Sequence, residues 1–404
     1  MNIDKLLEFL KDKNNRKFFK ELQELKEISI NDIQSLISNN PEKPIKEMLS
    51  QIKLQKRNLN KLPISNELLF TEQGAQQATS WKLAKYHATK FKVFNKVADL
   101  CCGIGVDLIN IAKGKEQVYA IDLDTDILKI VKYNCKNQNL SNIKFISGKA
   151  EEFNQQVDAI FIDPDRRPGS NRRIAPEEYS PPFSKIMELR DICQNIAVKL
   201  SPAINYKRLN LPIDSTLEFV SENGALKEIL LCMGDLATKN CERKAVLLPT
   251  NLTLQNSNAK TKITDIQQYL FEPDPAIIRA GLVQEMGNKI GYKLIDSKLA
   301  LLTGSHILQS DFGKVFEVEE IMKFDLKKVR KYVRENKIGE LIIKTRGFPE
   351  SVEKFRKKIK LKGNNSVVMF ILRKGDDHII IFAQILLIYI VFLTSLSRCS
   401  LKEG

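Results

Sequence analysis

The run Val97-Ala98-Asp99-Leu100-Cys101-Cys102-Gly103-Ile104-Gly105-Val106-Asp107 holds the residues best suited to chemistry in this chain. An apolar strand enters a Gly-x-Gly turn and leaves as a helix, Val106–Lys113, which Gly114 can cap. The glycines let the backbone turn sharply and approach a ligand with no Cβ in the way. The next apolar strand ends on Asp122, 23 residues after Asp99. An acidic residue at about that separation can accept hydrogen bonds from ribose hydroxyls. The third glycine of a phosphate-binding Gly-x-Gly-x-x-Gly is missing, because Leu108 stands three residues after Gly105. A ligand with a ribose but no pyrophosphate is favoured, and S-adenosylmethionine is such a ligand. A different nucleotide site, or a decayed one, is the alternative for this loop.

A second cluster, Ile162-Asp163-Pro164-Asp165-Arg166-Arg167-Pro168, follows the fourth strand, with Arg172 and Arg173 close behind. Here the carboxyl edge of a parallel sheet would present it to a ligand. Arginine forks suit phosphate or carboxylate recognition, or they brace the loop by ion pairing. With Gln76-Gln77-Ala78-Thr79-Ser80, Lys199-Leu200-Ser201-Pro202 and Phe271-Glu272-Pro273-Asp274-Pro275, these stretches make the chain resemble a class I Rossmann-like S-adenosylmethionine-dependent methyltransferase. It is most similar to bacterial members with a D-P-x-R-R motif and a C-terminal THUMP-like, ferredoxin-like module. The matching stretches run from about Thr71 onward.

The resemblance implies a cofactor site of Asp99, Cys101, Gly103, Gly105, Asp107, Asp122, Ala150 and Asp163. Within it, Asp99, Gly103 and Gly105 would line the methionine moiety and Asp122 would hold the ribose. Asp163, Arg166 and Arg167 would serve the acceptor, and Arg172 and Arg173 would contact the substrate. One departure stands after the third strand, where such enzymes often carry an Asp near the adenine. This chain has Lys149-Ala150, and a lysine cannot accept a hydrogen bond from the adenine amine. The backbone near Ala150, or Glu151, would have to substitute. The 5-methyluridine RNA methyltransferases need a nucleophilic cysteine shortly after the fifth strand. Lys199-Leu200-Ser201-Pro202-Ala203 has none, so covalent C5 methylation is disfavoured. Cys101, Cys102 and Cys193 are adequately explained by packing. His87, His306 and His378 stand apart in the sequence and receive no catalytic role.

Elements that could position these residues follow from periodicity. Residues 1–68 read as an N-terminal helical region, with Leu6, Leu10, Phe18, Leu22 and Leu25 at helical spacing. Apolar runs Lys96–Cys101, Gln117–Ile121, Lys144–Ser147, Val157–Ile162 and Ile196–Leu200 alternate with helical patterns. That alternation predicts βαβ units in an α/β domain over 69–250. The runs Leu226–Cys232 and Ala245–Leu248 are expected to pair as an antiparallel edge, followed by a linker at Asn251–Thr261. An α+β module is expected over 262–385, closing on a hairpin of Val367–Leu372 with Ile379–Ile385 around Lys374-Gly375-Asp376-Asp377. The apolar run Ile379–Leu393 is shorter than the roughly 20 residues of a spanning helix, which disfavours a membrane tail, and 386–404 has no assigned role.

The 404 residues are 43% hydrophobic and 28% charged, which excludes wholesale disorder. Seven cysteines without a CxxC pair, and three histidines, exclude a zinc ribbon and argue against a disulfide framework. No metal, no membrane and a cytoplasmic location are expected, and oligomeric state is not legible. Of the +15 net charge, most falls in Lys323–Lys374, where 17 lysines and arginines face five acids. Lys328, Lys331 and Lys357 represent that charge as candidate substrate contacts. The expected function is methyl transfer to RNA, on a tRNA or rRNA base, with the basic module delivering the RNA to Asp163. The alternatives are a methyltransferase-like protein that only binds RNA or a partner, and a methyltransferase of proteins or small molecules.

Overall fold

The computed structural model describes residues 2–25, 29–166 and 174–386. The chain divides into two compact units between Asn256 and Ser257.

The first unit is built on a nine-stranded sheet. Its parallel half comprises β1 (Lys96–Leu100), β2 (Gln117–Asp122), β3 (Ile143–Ser147), β4 (Ala159–Ile162) and β5 (Ile196–Leu200), in the order β3-β2-β1-β4-β5. β1, β4 and β5 are wholly or almost wholly buried, as expected for strands covered on both faces. Asp99 sits opposite Ala120 on one side and Phe161 on the other. The strand order reverses beside β1, so the loops after β1 and β4 diverge and open a crevice at the carboxyl edge.

The antiparallel half departs from the sequence expectation. β7 (Ala225–Met233) and β8 (Arg243–Leu248) do not pair with each other. β6 (Ser215–Glu222) lies between them, antiparallel to β7 and parallel to β8, and β9 (Leu252–Gln255) closes the edge. Buried Thr216 and Glu218 masked β6 in the sequence. Thr216 Oγ1 donates to the Cys241 carbonyl at 2.6 Å. Glu218 accepts from Tyr86 and Lys90 at 2.5 Å each and pairs with Lys244 at 3.4 Å. A polar residue so satisfied is tolerated inside.

Four helices precede the sheet: α1 (Ile3–Phe9), α2 (Lys13–Glu24), α3 (Ile30–Asn39) and α4 (Ile45–Asn58). Asp12 caps α2, and Ser29 with Asp32 forms a capping box on α3. Leu6, Leu10, Phe19, Met48 and Ile52 share one continuous core with Ile104, Val118 and Ile130. Next come α5 (Glu72–Gln77), α6 (Trp81–Lys90), α7 (Val106–Ile111), α8 (Thr125–Asn137) and α9 (Phe183–Glu188). Asn134 of α8 fastens the preceding segment: Leu69 N donates to its Oδ1 at 2.7 Å, and its Nδ2 donates to the Leu69 and Ile104 carbonyls.

The second unit carries a seven-stranded mixed sheet. β10 (Tyr269–Pro273), α10 (Pro275–Ala280), α11 (Val283–Ile290), β11 (Lys293–Leu294) and β12 (Leu302–Gly304) come first. β13 (Gly313–Lys323), α12 (Leu326–Glu335), β14 (Ile338–Arg346), α13 (Val352–Arg356), β15 (Asn365–Lys374) and β16 (Asp377–Ile385) follow. The strand order is β11-β12-β10-β13-β16-β15-β14. β15 and β16 form an antiparallel hairpin that turns at Gly375-Asp376, as the sequence predicts. Val329, Val333 and Phe355 of the helices pack on Leu341, Met369 and Phe382 of the sheet. Glu272 ties β10 to β14 by holding Lys344 and, at 3.0 Å, Arg346. Residues 387–404, including the end of the apolar run, lie outside the described residues.

Candidate functional site

A cleft of about 1130 Å³ opens at the carboxyl edge of the parallel strands. Its floor is the loop after β1. Cys101, Gly103 and Gly105 all take left-handed backbone conformations, with φ of 66°, 53° and 88°. At Gly105 a Cβ would lie 2.3 Å from a Val131 methyl, so only glycine fits. Gly103 N donates to Asp122 Oδ2 at 3.0 Å and Asp124 N donates to Oδ1 at 3.1 Å. The Asp122 carboxylate is thereby aimed across the cleft from the end of β2.

Asp99 is fully buried, and its Oδ2 has no hydrogen-bond partner among the described residues. Burial, and then the carboxylates of Asp107 and Asp163, push its carboxyl well up. A buried acceptor beside other carboxylates calls for a cationic ligand. S-adenosylmethionine brings a sulfonium and an ammonium group, and the chain fits it: a glycine cradle, an orphaned Asp99 oxygen and an oriented Asp122. When bound, that donor supplies an activated methyl group with a good leaving group.

Behind this floor lies a charged network that the sequence reading missed. His87 of α6 is completely buried between two carboxylates. Its Nδ1 lies 2.7 Å from Asp107 Oδ1 and its Nε2 2.5 Å from Glu228 Oε1. Thr79 donates to Asp107 Oδ2 at 2.5 Å. Lys199, near the end of β5, donates to Thr79 Oγ1 at 2.9 Å and to Asp163 Oδ2. Far from standing apart, His87 anchors a chain of contacts that ends on Asp163. The signals were a lysine in the apolar strand Ile196-Ala197-Val198-Lys199-Leu200 and a glutamate in β7. Lone charges in buried strands are expected to be paired.

Burial opposes the charged form of His87, but the Glu228 and Asp107 carboxylates outweigh it and hold the imidazolium up to about pH 10. Burial likewise raises the carboxyl of Asp107, yet Lys199 and His87 bring it down to about 2. A raised histidine stabilises the fold fully below its unfolded value of 6.5, and that contribution is lost as pH climbs through about 10. In that window the folded chain binds the extra proton, so stability should fall by up to about 1.4 kcal/mol per pH unit. Urea midpoints taken from about pH 6 to about pH 10 should show this slope in the wild type and a shallower one in His87→Gln. Equal slopes would mean that His87 is neutral when buried.

The sequence-predicted residues divide as follows. Asp99, Cys101, Gly103, Gly105, Asp107, Asp122, Asp163 and Arg166 all line the cleft. Asp107 has both oxygens engaged by His87 and Thr79, so it faces inward as part of the network. Arg166 Nη1 is buried without a hydrogen-bond partner among the described residues. Ala150 is buried in the short turn after β3 and does not line the cleft. Arg167, Arg172 and Arg173 lie outside the described residues. Lys328 and Lys331 are exposed on α12 of the second unit, and exposed Lys357 follows α13. Lys61, Lys199, Lys227, Glu222 and Glu228 also line the cleft, although none was given a site role from sequence. Among the described residues no cluster of metal-ligating side chains occurs, and no helix is long and apolar enough to cross a membrane.

Residues 97–164, which carry the β1 loop, Asp122 and Asp163, match the model of a methyltransferase domain. The chain carries a methyltransferase domain. Residues 313–384 match a THUMP domain-like model. Over 312 residues the chain is 24% identical to an uncharacterized S-adenosylmethionine-dependent methyltransferase of Mycobacterium tuberculosis, spanning 77% of this chain and 86% of that one. A shorter stretch of 85 residues is 31% identical to the tRNA (uracil(54)-C(5))-methyltransferase of Saccharomyces cerevisiae, covering 20% of this chain and 12% of the other. The fold of a crystal structure described as a candidate methyltransferase from Porphyromonas gingivalis superposes with a TM-score of 0.70 at 23% identity, over 84% of this chain and 90% of that one. The matched residues thus contain the cleft floor together with Asp99, Asp122 and Asp163.

Proposed function

We propose that this chain transfers the methyl group of S-adenosylmethionine to RNA. The observation that carries the reading is the convergence of Asp99, the Gly103–Gly105 cradle and Asp122 on one cleft with Asp163 at its acceptor side. Asp99 and the loop hold the cationic end of the donor, Asp122 holds its ribose, and Asp163 with Arg166 faces the acceptor. The sulfonium leaves readily, so much of the rate comes from holding donor and acceptor in line. The basic second unit supplies RNA affinity through phosphate contacts, consistent with its likeness to THUMP domains and with a relative named as a tRNA methyltransferase.

Donor binding is tested by calorimetric titration with S-adenosylmethionine. Asp122→Ala removes charge-assisted hydrogen bonds to the ribose and should weaken binding by about 1.5–3 kcal/mol. No heat in the wild type, or equal affinity in the variant, would remove the basis of the assignment. Methyl labelling of total RNA from a deletion strain then tests the acceptor class.

A further inference from the structure

The second unit gathers four aromatic rings at one end of its sheet. β13, β14 and β15 all run towards this end, and β16 starts from it. Phe324 follows β13, Phe348 follows β14, Phe355 stands in α13 and His378 lies at the start of β16. The ring centroids of Phe324 and Phe348 are 5.2 Å apart, and Phe355 lies 5.8 Å from the first and 5.4 Å from the second. His378 meets Phe348 edge-on at 5.6 Å. Two hydrogen bonds fix the set. Phe324 N donates to the His378 carbonyl at 2.9 Å, and His378 Nε2 donates to the Gly347 carbonyl at 3.1 Å. Phe355 is buried and joins the group to the core under α12 and α13. Phe324 is 36% exposed, so the cluster carries aromatic surface to solvent.

A lone exposed phenylalanine is ordinary surface. This one is braced by other rings and followed directly by unpaired positive charge. Lys327 and Lys328 open α12, three and four residues after Phe324, and both are exposed. Most acids near the rings have partners. Asp325 Oδ1 accepts from the backbone N–H groups of Lys327 and Lys328, Asp377 pairs with Lys323 at 2.9 Å, and Glu350 pairs with Lys358 at 2.7 Å. Asp376 has Arg373 at 3.8 Å. Among the described residues of α12's first turn and of α13 up to Phe355, Lys327, Lys328 and Lys354 stand without an ion-pair partner, against Glu353 alone. The surplus is positive. An acidic peptide would use these lysines and leave the rings idle, and a duplex hides the faces of its bases. An unpaired nucleotide uses both, its base on the ring and its phosphates on the ammonium groups.

We propose that this end of the second sheet is a stacking site for an unpaired base of RNA, with Phe324 as the platform and Lys327 and Lys328 as contacts for the flanking phosphates. Phe348, Phe355 and His378 hold the platform ring in place. Every base has a π-face, so the site takes any base and grips a strand rather than reading its sequence. The inference rests on the RNA reading above and adds the form of RNA that the second unit holds.

The test uses the full-length protein and a short labelled oligoadenylate, with anisotropy read across a salt series. Phe324→Leu keeps an apolar side chain and removes the ring. It should weaken binding by at least about fivefold at every salt concentration and leave the salt slope unchanged, because the ring carries no charge. A strand of the same length without bases should bind this variant and the wild type equally. Phe324→Trp keeps a platform and should retain wild-type affinity. The native chain has a single tryptophan, Trp81, so the variant's added emission can be read by difference. Oligoadenylate should quench that emission, and the baseless strand should not. Wild-type affinity in Phe324→Leu, or no quenching in Phe324→Trp, would overturn the stacking site. A lowered salt slope in Phe324→Leu would make the ring a support for Lys327 and Lys328 and overturn its role as platform. If the wild type binds both strands alike, the stacking site falls and RNA contact stands. If it binds neither, the RNA reading falls with it.

Discussion

Lys199→Met should abolish methyl transfer and cost about 3–5 kcal/mol of folding stability, one of the largest single-residue effects expected in the chain. The side chain is buried, and its ammonium touches Thr79 and Asp163 and lies 3.9 Å from Asp107. Removing it leaves two carboxylates near each other with less positive charge to compensate them. The stability loss is read from urea denaturation. The origin of the loss is read from a double-mutant cycle with Asp163→Asn. If the ion pair accounts for the effect, the second substitution removes the stranded charge, and the double variant should be more stable than Lys199→Met alone. Additive losses would show that packing of the lysine stem, not its charge, matters. Asp163→Ala should lose turnover while keeping most donor affinity, because Asp99 and Asp122 remain. Parallel loss of both would make Asp163 part of the donor site.

Replacing Lys328, Lys331 and Lys357 together by glutamine in the full chain should lower the salt dependence of RNA binding markedly. Each phosphate contact on a single strand contributes about 0.7 to the slope of log affinity against log salt, so three contacts remove about 2. At low salt that amounts to a loss of at least about tenfold in affinity. Fluorescence anisotropy of a labelled single-stranded RNA across a salt series measures it, with calorimetry of S-adenosylmethionine confirming that the first unit is intact. All three side chains are exposed, and Lys331 has only a weak partner in Glu335 at 3.9 Å. An unchanged slope would make this basic face an ordinary solvated surface.

The floor of the cleft was legible because its signals are local. Asp99, Gly103, Gly105 and Asp122 fall within two strands and one turn, and the glycine positions follow from backbone geometry that no other residue adopts as cheaply. The hairpin of β15 and β16 was legible for the same reason, through its Gly375-Asp376 turn. The charged network was not, because it is assembled by topology. His87 meets Asp107 20 residues away and Glu228 141 residues away, and Lys199 reaches Thr79 across 120. No periodicity encodes such meetings; only the presence of Lys199 and Glu228 inside apolar strands hints that partners must exist. β6 was missed for a related reason. Its buried Thr216 and Glu218 find partners on remote elements, so its pattern lacks the continuous apolar run that marks its neighbours. Cys101 carries the reverse lesson: a non-glycine residue in a left-handed conformation cannot be anticipated from its type.

The shared core of the N-terminal helices and the sheet has a consequence for how the chain comes off the ribosome. α1, α2 and α4 place Leu6, Phe19 and Met48 in one core with Ile130 and Val131 of α8, which lie about 70 residues further along the chain than the end of α4. At about 5–20 residues per second, those helices wait roughly 4–14 s before the surface they cover has been synthesised. During that interval their apolar stripes face water, and they are open to chaperones or to neighbouring nascent chains. The segment is thus a client of the sheet rather than a separable cap: made before α8, and fully buried only with it.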